Sequence, residues 1–173
     1  MKDNNPIRIR TRCKELLIDY IFILIYLVAL FIVNFLIYMF VLGGVPEYTR
    51  IQLQLIATIE SVIPIVIIFS LLDYRRPFGS YGKRKAGLEV HYKKRSFLIS
   101  LLRNGIKFLP WQLAHIGVID GIYTDFTSWV SIIFIYAGLI LGIIILCMGF
   151  FRKDKRHLGD MIAQTQVVQR ERY

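Results

Sequence analysis

Cysteine is nearly absent from this chain, with only Cys13 and Cys147 in 173 residues. Two isolated thiols supply neither a disulfide framework nor the spacing of a thiolate metal site. Acidic residues are also sparse, 12 against 22 Lys and Arg, leaving a formal charge of +10. No nucleophile–base pair, metal-ligand cluster or nucleotide fingerprint can be assembled from the sequence, and the Gly82-Lys83-Arg84 run lacks the glycine spacing of a phosphate-binding loop. An enzyme is not expected, nor is a cofactor or a bound metal. The basic excess does not point to nucleic acid, because the chain is 55% hydrophobic and a positive-inside bias alone accounts for such an excess in a membrane protein.

What the chain does have is long apolar runs. They fall in four blocks, at about 16–42, 51–72, 97–119 and 129–150, and their apolar residues cover all sides of a helix. The expected fold is an all-α membrane protein, a single domain over 1–173 with four transmembrane helices, a loop at 73–96 and a tail at 151–173. The first block is too long for the apolar core of a signal peptide and lacks a small-residue cleavage site, so it reads as a retained helix. Gly43-Gly44-Val45-Pro46 is turn chemistry closing the first connection. Nineteen of the 22 basic residues lie in the N-terminal segment, the central loop and the tail. That asymmetry predicts a cell-membrane protein with both termini and the central loop in the cytoplasm, its basic face against anionic lipid headgroups.

The third block departs from the others. Ser100, Arg103, Asn104 and Lys107 recur at helical spacing as one polar stripe, and Pro110 follows. This reads either as a full span or, preferably, as an amphipathic helix that lies at the interface, bends at Pro110 and then crosses. In the last block Gly138 and Gly142 form a small-xxx-small pair suited to close helix packing, in the bundle or between copies, and Trp129 fits an interfacial aromatic belt.

Carboxylates in apolar runs are costly, so each requires a partner or a polar cavity. Arg12 and Asp19 stand seven residues apart on one helix face, with Glu15 near that line and Tyr26 continuing it. Asp19 reads as a proton- or cation-binding group tuned by Arg103 and Lys107, or as a structural ion pair. Glu60 lies deeper, mid-block, and Pro64 one turn on releases a backbone carbonyl at its level. It reads as an ion-carrying carboxylate, or as a protonated glutamate bonded to a neighbouring helix. His115, one turn from Trp111, reads as a proton relay or, in preference, as a hydrogen-bonded ring near the outer interface. Leu88-Glu89-Val90 and Gln166-Val167-Val168 are β-prone runs suited to pairing.

Four patterns in order resemble the RDD family of small bacterial membrane proteins. They are Arg12 through Asp19; Gly82-Lys83-Arg84-Lys85-Ala86-Gly87-Leu88-Glu89-Val90; Arg103-Asn104; and Asp160-Met161-Ile162-Ala163-Gln164-Thr165. Two departures are Gly159, where the family often has histidine, with His157 two residues earlier, and a short stretch between Val90 and Ser96. The resemblance makes Asp160 the second aspartate of the family name, and with the composition it would tie the tail to Lys83, Arg84 or Arg103. A few family members are linked to sodium–proton antiport, so the resemblance implies a small transporter or a monovalent cation/proton exchanger. Four helices are few for a carrier, which implies a homo-oligomer. The alternative is a non-transporting membrane scaffold or accessory protein that binds anionic lipid or a partner protein.

Overall fold

The computed structural model describes residues 7–170; Lys2 and the last three residues of the basic tail lie outside them. The first helix, α1, spans Ile9–Leu36 and runs on as a π-helical turn, Ile37–Val41. It starts seven residues before the expected block, because Arg12 and Glu15 in its opening turns are buried against the charged end of the bundle. The second span has three parts: α2 (Arg50–Ala57), a π-helical turn (Thr58–Val62) and α3 (Ile63–Tyr74). Thr49 and Gln52 form a reciprocal capping box that satisfies the first free amides of α2. Pro64 cannot donate to the Glu60 carbonyl, and the widened π turn directly precedes it.

Two further long helices follow. Helix α5 covers Phe97–Thr124 and runs unbroken through Pro110, five residues beyond the expected block, so that Asp120 lies inside it. Helix α6 covers Trp129–Phe151, and Ser96 and Ser128 cap the two starts by accepting backbone N–H bonds. The expected packing role of Gly138 is realised within the chain. A Cβ there would lie 2.7 Å from the Pro110 carbonyl, and one at Gly117 would lie 2.7 Å from Ile135. The two helices therefore approach backbone to backbone, antiparallel.

Three helical stretches, Ile9–Val41, Arg50–Tyr74 and Trp129–Phe151, are long and apolar enough to cross a membrane. Helix α5 has the length, at 28 residues, but carries Arg103, Lys107 and Asp120 and does not rank with those three. The bundle is apolar outside and polar inside: Phe31 and Trp129 are 70% and 77% exposed, while Arg103 is 1% and Asn104 fully buried. This inversion is stable only where lipid, not water, bathes the outer faces. The chain is accordingly an all-α membrane protein.

The charged end is closed by short elements: α4 (Tyr81–Lys85), β1 (Leu88–Tyr92), α7 (Leu158–Ile162) and β2 (Thr165–Gln169). The two strands pair antiparallel, with Val90 opposite Val167 and Leu88 opposite Gln169, joining the runs whose β-propensity stood out in the sequence. Leu88 and Val167 pack with Ile7 into a small apolar core beneath this cap, and a second core forms from Ile65, Phe69 and Phe108 between α3 and α5.

Candidate functional site

The charged end holds eight ionisable side chains in one continuous network: Glu15, Asp19, Asp73 and Asp160 against Arg12, Lys83, Arg103 and Lys107. Formal charges cancel, four against four. All but Lys107 are buried to 5% exposure or less. Desolvating an ion costs several kcal/mol even after relaxation, so the arrangement holds only because every member has an opposite partner at short range.

Arg103 is the hub. Its Nε donates to Asp160 Oδ1 at 2.6 Å and its Nη1 to Asp73 Oδ2, while Asn104 Nδ2 adds a bond of 3.3 Å to the same Asp73 oxygen. Three separate elements, α3, α5 and α7, thus meet on one guanidinium. Its rigid fork of donors suits two carboxylates at once. Lys83 is the second hub. Its Nζ lies 3.1 Å from Ser80 Oγ, 3.4 Å from Glu15 Oε1, 3.4 Å from Asp73 Oδ1 and 3.9 Å from Asp19 Oδ2. That position among three carboxylates is where a bound cation would sit, and the protein fills it with its own ammonium. Burial would depress the Lys83 ammonium, but Asp73 and Glu15 more than offset it, leaving its pKa above the ordinary lysine value.

Asp19 does not pair with Arg12. It accepts from the Gly82 amide at 2.8 Å and from Ser80 Oγ at 2.6 Å, and Lys107 Nζ stands 4.0 Å away. Arg12 instead donates to Glu15 at 2.5 Å, one turn along its own helix. Gly82 is required here, because a Cβ would overlap the Glu15 carbonyl and the Asp19 carboxylate. Helix α4 therefore rests directly on α1, and its amide reaches the aspartate without a side chain between. Asp160 finds Arg103, not Lys83 or Arg84; Arg84 turns away to donate to the Gly79 carbonyl at 2.7 Å.

Burial would raise the Asp160 carboxyl, yet Arg103 and His157 hold it well below the usual carboxylate range. His157 caps α7 by accepting the Asp160 amide at Nδ1, and its Nε2 lies 3.3 Å from Asp160 Oδ2. Burial pushes this imidazole down to about 3, so it is neutral near pH 7. The histidine displaced in sequence from the family position thus still reaches the second aspartate. Gly159 has no room for a larger residue, since a Cβ would lie 2.5 Å from the Arg103 carbonyl.

Glu60 stands apart from this network. It lies ten residues into the span that starts at Arg50, about 15 Å along it at ~1.5 Å per residue. Asn34 Nδ2 donates to its Oε2 at 2.8 Å, and Tyr26 donates its hydroxyl to the Glu60 backbone carbonyl, the acceptor Pro64 releases. Among the described residues it has no ion-pair partner. Nearby on the same π turn, Thr58 Oγ1 accepts from Gln112 at 3.0 Å, while the buried Gln112 Oε1 lacks a donor. Toward the opposite end Trp111 Nε1 donates to His115 Nε2 at 2.9 Å, and Arg50 pairs with the buried Asp120 at 2.5 Å.

Sequence reasoning singled out Arg12, Asp19, Arg103, Lys107 and Asp160, and all five stand in the one network. It placed Asp73 and Lys83 in the loop at 73–96 and did not single out Asn34. Asp73 lies in the last turn of α3, fully buried. A carboxylate closing an apolar run, and an amide inside one, were the signals available for Asp73 and Asn34. Among the described residues no group of His, Cys, Asp and Glu is arranged to hold a metal ion.

The family model for the RDD family matches residues 9–164, nearly the whole chain. No curated protein and no solved structure matches it.

Proposed function

The chain belongs to the RDD family, and from its geometry we propose that it is a small exchanger of a monovalent cation against protons, with Glu60 as the carrying group. One observation carries the reading: a mid-span carboxylate, set in a π-helical turn, has an amide and no cation for company. Such turns occur often at functional sites, and an uncompensated carboxylate in hydrocarbon holds either a proton or a cation. Exchange is then a single balanced step: the protonated carboxyl releases its proton as the cation binds to the carboxylate oxygens. Asn34 orients one oxygen.

In this reading the charged end is the cytoplasmic lock of the bundle, both termini lie on that side, and no covalent chemistry is involved. Several copies would associate to complete a pathway. Arg103 and Lys107 act at a distance by holding the lock, not by touching the carried ion.

The test is proton movement in proteoliposomes with a pH-sensitive dye trapped inside, under imposed sodium, lithium and potassium gradients. A cation-dependent pH change that disappears in folded Glu60→Gln supports exchange at Glu60. A change that survives in that variant but vanishes in folded Asp19→Asn moves the carrier to Asp19. No change with any cation in folded wild type rejects exchange. It would leave the second reading, a non-transporting scaffold or accessory protein, which the electrically neutral lock favours.

A further inference from the structure

The glycines that draw α5 and α6 together have no counterpart between α6 and α1. A cavity of about 220 Å³ remains between α1, α5 and α6, partly open to the outside. Most of its wall is apolar, including Leu16, Ile145 and Leu146, and one end presents Arg12, Lys107 and His157. No carboxylate is among the described residues that line it. The network as a whole is neutral, but the part of it turned to this cavity is cationic.

Lys107 is its least satisfied member. The nearest carboxylate oxygen is 4.0 Å away, its ammonium stands over the rings of Phe69 and Phe108 at 4.8 and 5.1 Å, and it makes no hydrogen bond among the described residues. Among the described residues no acceptor lies within hydrogen-bond distance of its three donors. Arg12 Nη2 is also loosely held, with a single bond of 3.5 Å to the Lys155 carbonyl. On the facing wall Gly142 and Gly149 supply no side chains, and a Cβ at Gly142 would meet only Pro110, at 3.6 Å.

We propose that this cavity binds an anionic phospholipid, its phosphate on Lys107 and Arg12 and the start of one acyl chain along the Gly142–Gly149 face. The charge of the lining selects an anion, and the apolar wall selects an alkyl chain attached to it. The volume is below the ~300–1,000 Å³ typical of pockets that enclose a whole small molecule. It suits a ligand that enters in part and leaves its remaining chain in the bilayer. This is a defined site between helices, distinct from general attraction of the basic loops to a charged membrane surface, and it does not depend on ion exchange.

The experiment is native mass spectrometry of the full chain in detergent, titrated separately with phosphatidylglycerol, phosphatidylcholine and dodecanoate. Wild type is expected to retain phosphatidylglycerol at least several-fold better than phosphatidylcholine. Lys107→Gln should lower that retention roughly fivefold, as expected for losing one cation near the headgroup (about 1 kcal/mol). Gly142→Leu fills the cavity without touching a charge and should abolish the preference while the thermal midpoint stays near wild type. If Lys107→Gln does not fold, Gly142→Leu decides alone. Equal retention of the two phospholipids by wild type overturns the site, as does undiminished phosphatidylglycerol retention in folded Gly142→Leu. Dodecanoate retained in preference to phosphatidylglycerol overturns the phospholipid assignment and names a free fatty acid.

Discussion

The two carboxylate environments of this molecule contrast sharply. At the charged end, Asp73 and Asp160 share one arginine, and Glu15 and Asp19 surround one lysine, so that every ion has an opposite ion nearby. Halfway along the bundle, Glu60 has an asparagine and a tyrosine-bound backbone. Both regions place carboxylates where water is scarce, but they solve the cost differently. The first compensates charge with the protein's own cations and so holds five elements, α1, α3, α4, α5 and α7, in fixed relation. The second has no resident cation among the described residues. A buried charge is therefore not a functional signal by itself; the absence of a resident partner is.

The largest effect should come from opening the lock. Arg103→Met strands Asp160 as a buried carboxylate without its cation and leaves Asp73 with Lys83 alone, a loss of about 3–5 kcal/mol, read as a collapse of the thermal midpoint in detergent. Little change would mean that the network is redundant and the contrast overstated. Gly82→Ala tests the same region without removing a charge. The added methyl must push α4 off α1, at a cost of roughly 1–3 kcal/mol, and should loosen Ser80 and Lys83 together, read by faster amide exchange over residues 80–85.

His157→Asn sharpens the comparison through pH. An imidazole held down to about 3 in the folded chain gains its proton on unfolding at mildly acid pH. Its contribution is complete above the free histidine value near ~6.5 and is lost as pH falls from there toward 3. The slope is at most about 1.4 kcal/mol per pH unit for one proton. Asparagine keeps the α7 cap but cannot titrate, so the melting temperature of His157→Asn should vary less than wild type between pH 6.5 and 4.5; parallel curves would refute the assignment. The smallest stability effect belongs to Glu60→Gln. The amide still accepts from Asn34, and the expected cost is about 0.5–1 kcal/mol, despite the complete loss of exchange proposed above. A loss as large as that of Arg103→Met would make Glu60 a structural group.

Much of the fold was legible before any coordinates. The runs ending near Leu42, Leu72 and Phe150 announced three spans because apolarity over about twenty residues is a summed local property. The pairing of Leu88-Glu89-Val90 with Gln166-Val167-Val168 was legible because both runs were β-prone. The third segment was harder to read. Arg103, Lys107 and Pro110 suggested a bent, half-interfacial helix; α5 is one unbroken helix through Pro110, and its charges face carboxylates from α1, α3 and α7.

The partner choices were legible only in part: Lys107 near Asp19 and Arg103 on Asp160 were among the candidates, but the rest of the pairing was not. Spacing along one helix put Arg12 in line with Asp19, but α4 reaches Asp19 first through the Gly82 amide and Ser80. Lys83 could be assigned to any nearby acid until its position among three of them was known.

By itself, the amino-acid sequence determined that this chain lives in a membrane, that it carries the RDD pattern, and that several charges must be buried, whereas of the four spans expected three are long and apolar enough to cross. Those follow from composition and order, which act residue by residue. Only the tertiary structure decided which charges neutralise one another and which carboxylate is left without a cation. Coulomb attraction and desolvation depend on distances between residues far apart in the chain, such as Arg103 and Asp160, and no local pattern encodes them.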